Sequence, residues 1–541
     1  MSMAELVTRS NANRKNKIAL DLRTSRNDFK VGVTITFKKF MEMINKVYAA
    51  GKMSGIEANE IVLSIMPNVP ESRYVIYGLN KLGATIYPVS FTLSNNQLKE
   101  IIEKNNIKTA FVFEAFLPKF SEQLDNIEKV YVLTGKESLP WIMRIGAKKS
   151  YRKYNSWESF IQKGKKYQGD FSEFYYDPNH IAIIEGTSGT TGIPKGVCLT
   201  DDNLNAIAYI HRNAEFITDE EKVLDILFQG IAYGLSTMHY TTYMGCHNVI
   251  IPELLTDKFP KALYNIKGIQ NFTGGPIHCR YLLDSEQLRD NGKLKINNFV
   301  SGGASLPIET ELSLNEVTPD FEEKGIDKRI FVRQGFGATE NCGCGLYAKQ
   351  GAYKVGSIGI PLPLVVASIF NPGTDEELKY GETGEICITG PTVMAGYLNN
   401  ETETRNVLKK HSDGLVWLHL GDMGYCDKDG RFFHVDRIKD IFMRKGFNVF
   451  PSKIEEYIST FAEVKECKVI GIENYEETEV PVAFVVRNDG TEDEKTLEDI
   501  FVRRCYENLD ELYVPYSWKF VDTLPRNLGG KVLVDELKKL V

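Results

Sequence analysis

The chain lacks what would carry it across a membrane or lock it with cross-links. No stretch approaches the roughly 18–20 consecutive apolar residues needed to cross a bilayer. The start, Met1-Ser2-Met3-Ala4-Glu5, has no apolar signal-peptide core, so a cytoplasmic location is expected. Nine cysteines are scattered along the chain. An odd number cannot all pair, and reduced thiols are the simpler reading. Cys342-x-Cys344 has no second cysteine pair at zinc spacing, so no metal site is expected there. Positive charge is not in excess either. With 65 Lys and Arg against 72 Asp and Glu, the net charge is −7, which disfavours a nucleic-acid partner. No internal repeat or low-complexity tract is evident.

What is present points to a multidomain α/β protein. A chain of 541 residues is too long for one compact core. Apolar runs alternate with helical patterns in the first half: strand Ile61–Met66, helix Glu71–Leu82, strand Gly83–Pro88, helix Leu98–Asn105 and strand Thr109–Phe113. Such alternation predicts mixed, mostly parallel sheets. A boundary is expected near 437–440, followed by helix Ser452–Thr460, strands Glu466–Ile472 and Val480–Val486, and helix Leu497–Asn508. The expected division is a large N-terminal domain of several subdomains over 1–438 and a small mobile α+β domain over 439–541. Residues 138–166 are unusual for an acidic protein, with Arg144, Lys148, Lys149, Arg152 and Lys153 beside Trp141, Ile142, Met143 and Ile145. They read first as a solvated basic loop, and alternatively as a weak membrane-surface contact.

The densest chemistry lies at Thr187-Ser188-Gly189-Thr190-Thr191-Gly192-Ile193-Pro194-Lys195-Gly196, after the apolar run Ile181–Ile184. Glycines let the backbone turn its N–H groups toward one point, and hydroxyls and a lysine complete an anion cradle. The order fails the P-loop pattern, because Lys195 follows a proline and is not followed by Ser or Thr. No Gly-x-Gly-x-x-Gly is present. Gly343-Cys344-Gly345-Leu346-Tyr347-Ala348 fits only the looser form ending in Ala, and lacks a clear βαβ unit around it.

Further candidates follow in chain order. Ser301-Gly302-Gly303-Ala304-Ser305 permits close backbone approach to a flat ligand. In Gln334-Gly335-Phe336-Gly337-Ala338-Thr339-Glu340, Phe336 offers a face for a base, Thr339 a hydroxyl for a phosphate oxygen, and Glu340 a hard oxygen for Mg²⁺. Asp422 can take both hydroxyls of a ribose, and Arg437, fifteen residues on, adds a permanently charged donor. Leu524-Pro525-Arg526-Asn527-Leu528-Gly529-Gly530-Lys531 sets a lysine on a glycine-rich loop.

Ordered and collinear over roughly residues 60 to 535, these segments resemble the adenylate-forming superfamily of acyl- and aryl-CoA synthetases, nonribosomal peptide adenylation domains and beetle luciferases. The resemblance implies ATP, Mg²⁺ and coenzyme A as reactants. It implies that Thr187–Lys195 hold the β- and γ-phosphates, that Ser301–Ser305 line the adenine and the carboxylate end of the substrate, with Gly303, Ala304, Ser305, Gly335, Phe336 and Gly337 binding the nucleotide, and that Lys531 stabilises charge between carboxylate and α-phosphate. It places a hinge at Lys439 and a thiol-channel loop at Gly446. Three positions depart from the family: Phe336 stands for the usual Tyr, Met443 for a frequent Lys, and Gln229 for the usual His of an aromatic-His pair. Gln229, Tyr233 and Gly302 are the expected acid-pocket residues. No acid near them suggests an amino-acid ammonium, and Gly274, Gly275, Gly302 and Gly335 could leave room for an extended chain. Together with 138–166 this favours a medium- or long-chain fatty acid over an aryl acid. A standalone ligase loading a carrier-protein phosphopantetheine is the alternative acceptor reading. A catalytically silent nucleotide-binding regulator is the alternative class, against which Lys531, Glu340, Asp422 and Arg437 together argue.

Overall fold

In a computed structural model, residues 1–135, 153–187, 194–214, 217, 219–252, 258–292, 296, 298–317, 332–349, 351–488, 490–491, 493–527 and 530–541 are described. Ser188, Gly189, Thr190, Thr191 and Gly192 of the anion loop, and most of the basic–apolar stretch, lie outside them. Among the described residues no helix is long and apolar enough to cross a membrane.

The described strands form four sheets. The first has nine strands, in the order Ile360–Pro361, Leu346–Tyr347, Val332–Phe336, Asn298–Ser301, Asn271–Gly274, Lys222–Asp225, His247–Ile250, Ile18–Arg23 and Gly32–Thr36. Its interior pairs are parallel and its edges antiparallel. The second has eight strands, running from Gly396–Tyr397 through Gly196–Thr200, Ile181–Gly186, Thr85–Pro88, Ile61–Ile65, Thr109–Phe113 and Lys129–Leu133 to Asn155–Ser156. A five-stranded antiparallel sheet follows, with Val366–Phe370, Gly384–Thr389, Val416–Cys426, Leu408–Lys410 and Phe432–Arg437. The last sheet, mainly antiparallel, holds Phe442–Arg444, Phe447–Val449, Val464–Asn474, Thr478–Arg487 and Ser517–Phe520. This is a mixed α/β architecture, a large N-terminal domain with a smaller C-terminal one.

Local chemistry sets the element ends. Strand Thr109–Phe113 falls where its β-rich run predicts. The preceding strand begins at Thr85 rather than Gly83, because Gly83 caps helix Pro70–Leu82 at φ 91°. Pro70 opens that helix, where its missing N–H costs nothing, and every residue in it is buried between layers. Helix Asn95–Lys104 starts three residues before Leu98, since Ser94 and Gln97 form a capping box. In the smaller domain, Asp493 caps helix Glu494–Asn508 and extends it by a turn beyond the apolar pattern.

Candidate active site

Three neighbouring parallel strands end together: Asn271–Gly274, Asn298–Ser301 and Val332–Phe336. Gly274, Gly302 and Phe336 stand at their carboxyl ends, the edge at which an open α/β sheet usually takes its ligand. Gly302 N–H donates to the Gly274 carbonyl at 3.0 Å. A Cβ on Gly302 would stand 3.2 Å from the Tyr233 ring, and one on Gly337 would lie 2.6 Å from the Cys344 backbone. Glycine is therefore needed at Gly337, where the obstacle is backbone, while at Gly302 a side chain would press on the Tyr233 ring. Gly303, Ala304 and Ser305 are exposed just beyond, with Gly303 at φ 83°. The Phe336 ring faces His434, centroids 5.9 Å apart.

Asp422 and Arg437 sit directly opposite on paired antiparallel strands. The Asp422 carboxylate is 3% exposed. Its Oδ1 accepts from Arg437 Nε at 3.0 Å and lies 3.2 Å from His434 Nε2. Burial alone would raise its pKa, but the hydrogen bond to His434 and the charges of Arg437, His434 and Lys531 outweigh it and hold the carboxyl below the usual range.

Lys531, 94 residues beyond Arg437 in the chain, lies near enough for its charge to act on Asp422 and Arg437. Its N–H donates to Asn527 Oδ1 at 3.0 Å. The loop is tied to the larger domain: Arg526 and Arg280 both pair with Glu466, Arg280 at 3.2 Å. Arg280 also donates to the Lys465 carbonyl. Gly530, at φ 81°, fits against helix Pro276–Leu283, where a Cβ would meet Ile277 at 3.0 Å. Burial, then the charges of Arg437 and Lys439, press the Lys531 ammonium down to about 8, against the opposing pull of Asp440 and Asp422.

Thr339 and Glu340 stand in a 3₁₀ turn whose start is fixed by Ala338 N–H donating to Asn341 Oδ1 at 2.7 Å. Tyr397 donates its hydroxyl to Glu340 Oε1 at 2.7 Å. At the anion loop, Thr187 N–H donates to the Lys195 carbonyl at 2.9 Å, closing its base. Lys195 pairs with Glu403, and its Nζ lies 5.1 Å above the Tyr397 ring. Glu340 and Lys195 thus meet through one tyrosine. On the strand that leads to Thr187, Glu185 is fully buried, and burial pushes its carboxyl well above the carboxylate range.

Gln229 is held in the interior. Its Nε2 donates to Asn68 Oδ1 at 2.7 Å, and Ser72 donates to its Oε1 at 3.3 Å. Asn68 in turn joins the buried Arg73–Asp225 pair. Tyr233 donates to the Val300 carbonyl at 3.3 Å beside Gly302. Gly335 precedes Phe336 with no contact tighter than 3.7 Å for an added Cβ. Lys439 is exposed after Arg437. Gly446 stands apart, in an exposed turn at φ 83° where a Cβ would meet nothing within 4 Å. The sequence reading missed His434, Tyr397, Glu403 and the Arg280–Glu466–Arg526 tie. Of these only His434 had a local signal, as the residue of a short strand that ends on Arg437.

Comparison with known proteins agrees over nearly the whole chain. The AMP-binding enzyme family matches residues 7–398, and the AMP-binding enzyme C-terminal domain matches 453–531. A long-chain-fatty-acid–CoA ligase of Bacillus subtilis is 28% identical over 528 residues, covering 93% of this chain and 89% of that protein. A probable 4-coumarate–CoA ligase of Dictyostelium discoideum is 29% identical, covering 93% and 91%. The crystal structure of ATP-bound MatB from Rhodopseudomonas palustris superposes with a TM-score of 0.83 at 22% identity, covering 100% of this chain and 99% of that one. At that identity the likeness is one of fold.

Proposed function

We propose, from the premise that this chain belongs to the AMP-binding enzyme family, that it is an acid–thiol ligase of the AMP-forming acyl-CoA synthetase kind. A carboxylate is a poor acyl donor because it is anionic and resonance-stabilised. Its oxygen attacks the α-phosphorus of ATP, giving an acyl-adenylate and pyrophosphate. The thiol of coenzyme A then attacks the acyl carbon, and AMP leaves. The relatives include both a fatty-acyl and a coumaroyl ligase, which supports the acyl- or aryl-CoA class.

What supports the reading is the paired Asp422 and Arg437 of one sheet, with the Lys531 loop of a separate stretch of chain brought near enough for its charge to act on theirs. Asp422 takes the ribose hydroxyls, and Phe336 with His434 flanks the base. Gly303, Ala304, Ser305, Gly335 and Gly337 line the adenine. Arg437 donates toward ribose and phosphate. Lys531 orients the substrate carboxylate against the α-phosphate and stabilises the charge that develops between them. Thr187 to Lys195 and Thr339 hold the outer phosphates. Glu340 fits a magnesium ion: Tyr397 engages one carboxylate oxygen, and among the described residues the other has no partner. Bound there, Mg²⁺ would neutralise phosphate charge.

Lys531 and Gly446 lie on the smaller domain, residues 439–541, and serve different half-reactions. That domain turns about Lys439 between them, bringing Gly446 to the pocket for the thiol. The acid pocket is bounded by Gln229, Tyr233 and Gly302, with a medium- or long-chain fatty acid as the favoured substrate. A panel of fatty and aryl acids, read by pyrophosphate release and by CoA-thioester formation, tests the reading. Release and thioester with a fatty acid are expected. Release with no acid of either class would reject the enzyme, and preference for aryl acids would reject the substrate.

A further inference from the structure

Glu385, Cys387 and His419 form a second chemical cluster, which the proposed reaction does not use. Glu385 and Cys387 are two apart on strand Gly384–Thr389 and so share a face. His419 stands directly opposite Cys387 on strand Val416–Cys426. All three are buried, at 5%, 0% and 5% exposure. Their ligand atoms lie within 4.8 Å of one another. His419 Nδ1 is 2.8 Å from Glu385 Oε2 and 3.4 Å from Cys387 Sγ.

From this geometry we infer that Glu385, Cys387 and His419 form a binding site for a zinc-class divalent transition ion. Thiolate, imidazole and carboxylate are the donor set such ions take. Ligand distances of about 2.3 Å to sulfur and about 2.0–2.1 Å to nitrogen require a tetrahedral S···N separation of about 3.6 Å, against the 3.4 Å found. The N···O pair must open by about half an ångström from its hydrogen-bonded 2.8 Å. The surroundings support the ion as well. On the far side of the ring, His419 Nε2 is 2.9 Å from His411 Nε2. With His419 ligating through Nδ1, its Nε2–H donates to His411, the outer partner that fixes a ligating imidazole. His411 is itself 8% exposed, and its Nδ1 has no partner among the described residues. Phe370 and Trp417 pack as an apolar wall beside Cys387 and against His411. On binding, the Cys387 thiol gives its proton to water, and the thiolate and Glu385 together balance the ion's two charges.

The site also braces the proposed nucleotide pocket. Glu385 keeps its other oxygen on Gly421 N–H at 3.0 Å, and the next residue is Asp422.

The test uses the full chain, stripped with a chelator and titrated with Co²⁺ or Zn²⁺. One Co²⁺ per chain is expected, with a thiolate-to-cobalt charge-transfer band. Cys387→Ala should lose the band, while Cys279→Ala, at a buried thiol outside the cluster, should keep it. His411→Ala should weaken binding by about 10–100-fold. Zinc should raise the Tm of the wild-type chain but not of Cys387→Ala. Absence of stoichiometric binding, a band that persists in Cys387→Ala, or an unchanged wild-type Tm would each overturn the site.

Discussion

If Lys531 acts by its charge, adenylation must fail when that charge is lost. Burial and the facing Arg437 and Lys439 bring its pKa from 10.5 down to about 8. The protonated fraction is then about nine-tenths at pH 7 and about one-tenth at pH 9. The kcat/KM for pyrophosphate release, measured without coenzyme A from about pH 6.5 to about 9.5, should therefore fall about tenfold between those two points. The kcat profile should turn at higher pH, because bound phosphates favour the ammonium. Stability runs the other way. A lysine depressed in the fold leaves the unfolded chain holding more protons between about 8 and 10.5. The folded state therefore gains from this group as pH rises through that window, and unfolding on its account does not explain the lost rate. Lys531→Arg keeps a charge throughout and should abolish the downturn, whatever its absolute rate. A downturn that survives in Lys531→Arg, or a wild-type profile flat to about pH 9.5, would refute the assignment.

Three further outcomes are expected. Asp422→Asn keeps the shape of the ribose clamp but loses its charge. ATP binding should weaken by about 10- to 150-fold, from about 1.5–3 kcal/mol for a charge-assisted hydrogen bond, as read by calorimetric titration. Arg280→Ala removes the larger domain's hold on Glu466, to which Arg526 ties the Lys531 loop, and should slow pyrophosphate release by about fivefold, from about 1 kcal/mol, while supplied acyl-adenylate still reacts with coenzyme A at the wild-type rate. Asp225→Asn leaves the fully buried Arg73 without its counter-charge and should cost about 3–5 kcal/mol in urea unfolding, since Arg73 Nη2 lies 2.6 Å from Asp225 in the native chain.

Much of the architecture was legible because it is written in short local patterns. Thr109–Phe113 is a β-rich run that packs as one, and Gly83 and Ser94 mark element ends by their own conformational chemistry. The residue types around the proposed nucleotide pocket were legible too, since Asp422, Arg437 and Lys531 each sit in a recognisable segment. Their partners were not. Tyr397 lies 57 residues from Glu340, and Glu403 lies 208 from Lys195. No spacing announces such pairs, because sheet order creates them. Gln229 shows the same limit. Its substitution for histidine was visible, but Asn68 and Ser72, which hold it, come from the far side of the chain. Cysteine spacing singles out Cys342-x-Cys344, where no metal site is expected, whereas antiparallel register sets His419 against Cys387.

The central claim is that one lysine, carried on the smaller domain, serves adenylation alone. The direct measurement is Lys531→Ala followed through each half-reaction separately: pyrophosphate release from ATP and acid, then thioester formation from supplied acyl-adenylate and coenzyme A. Release should be nearly abolished while thioester formation is largely retained. Equal loss in both, or release near the wild-type rate, would contradict it.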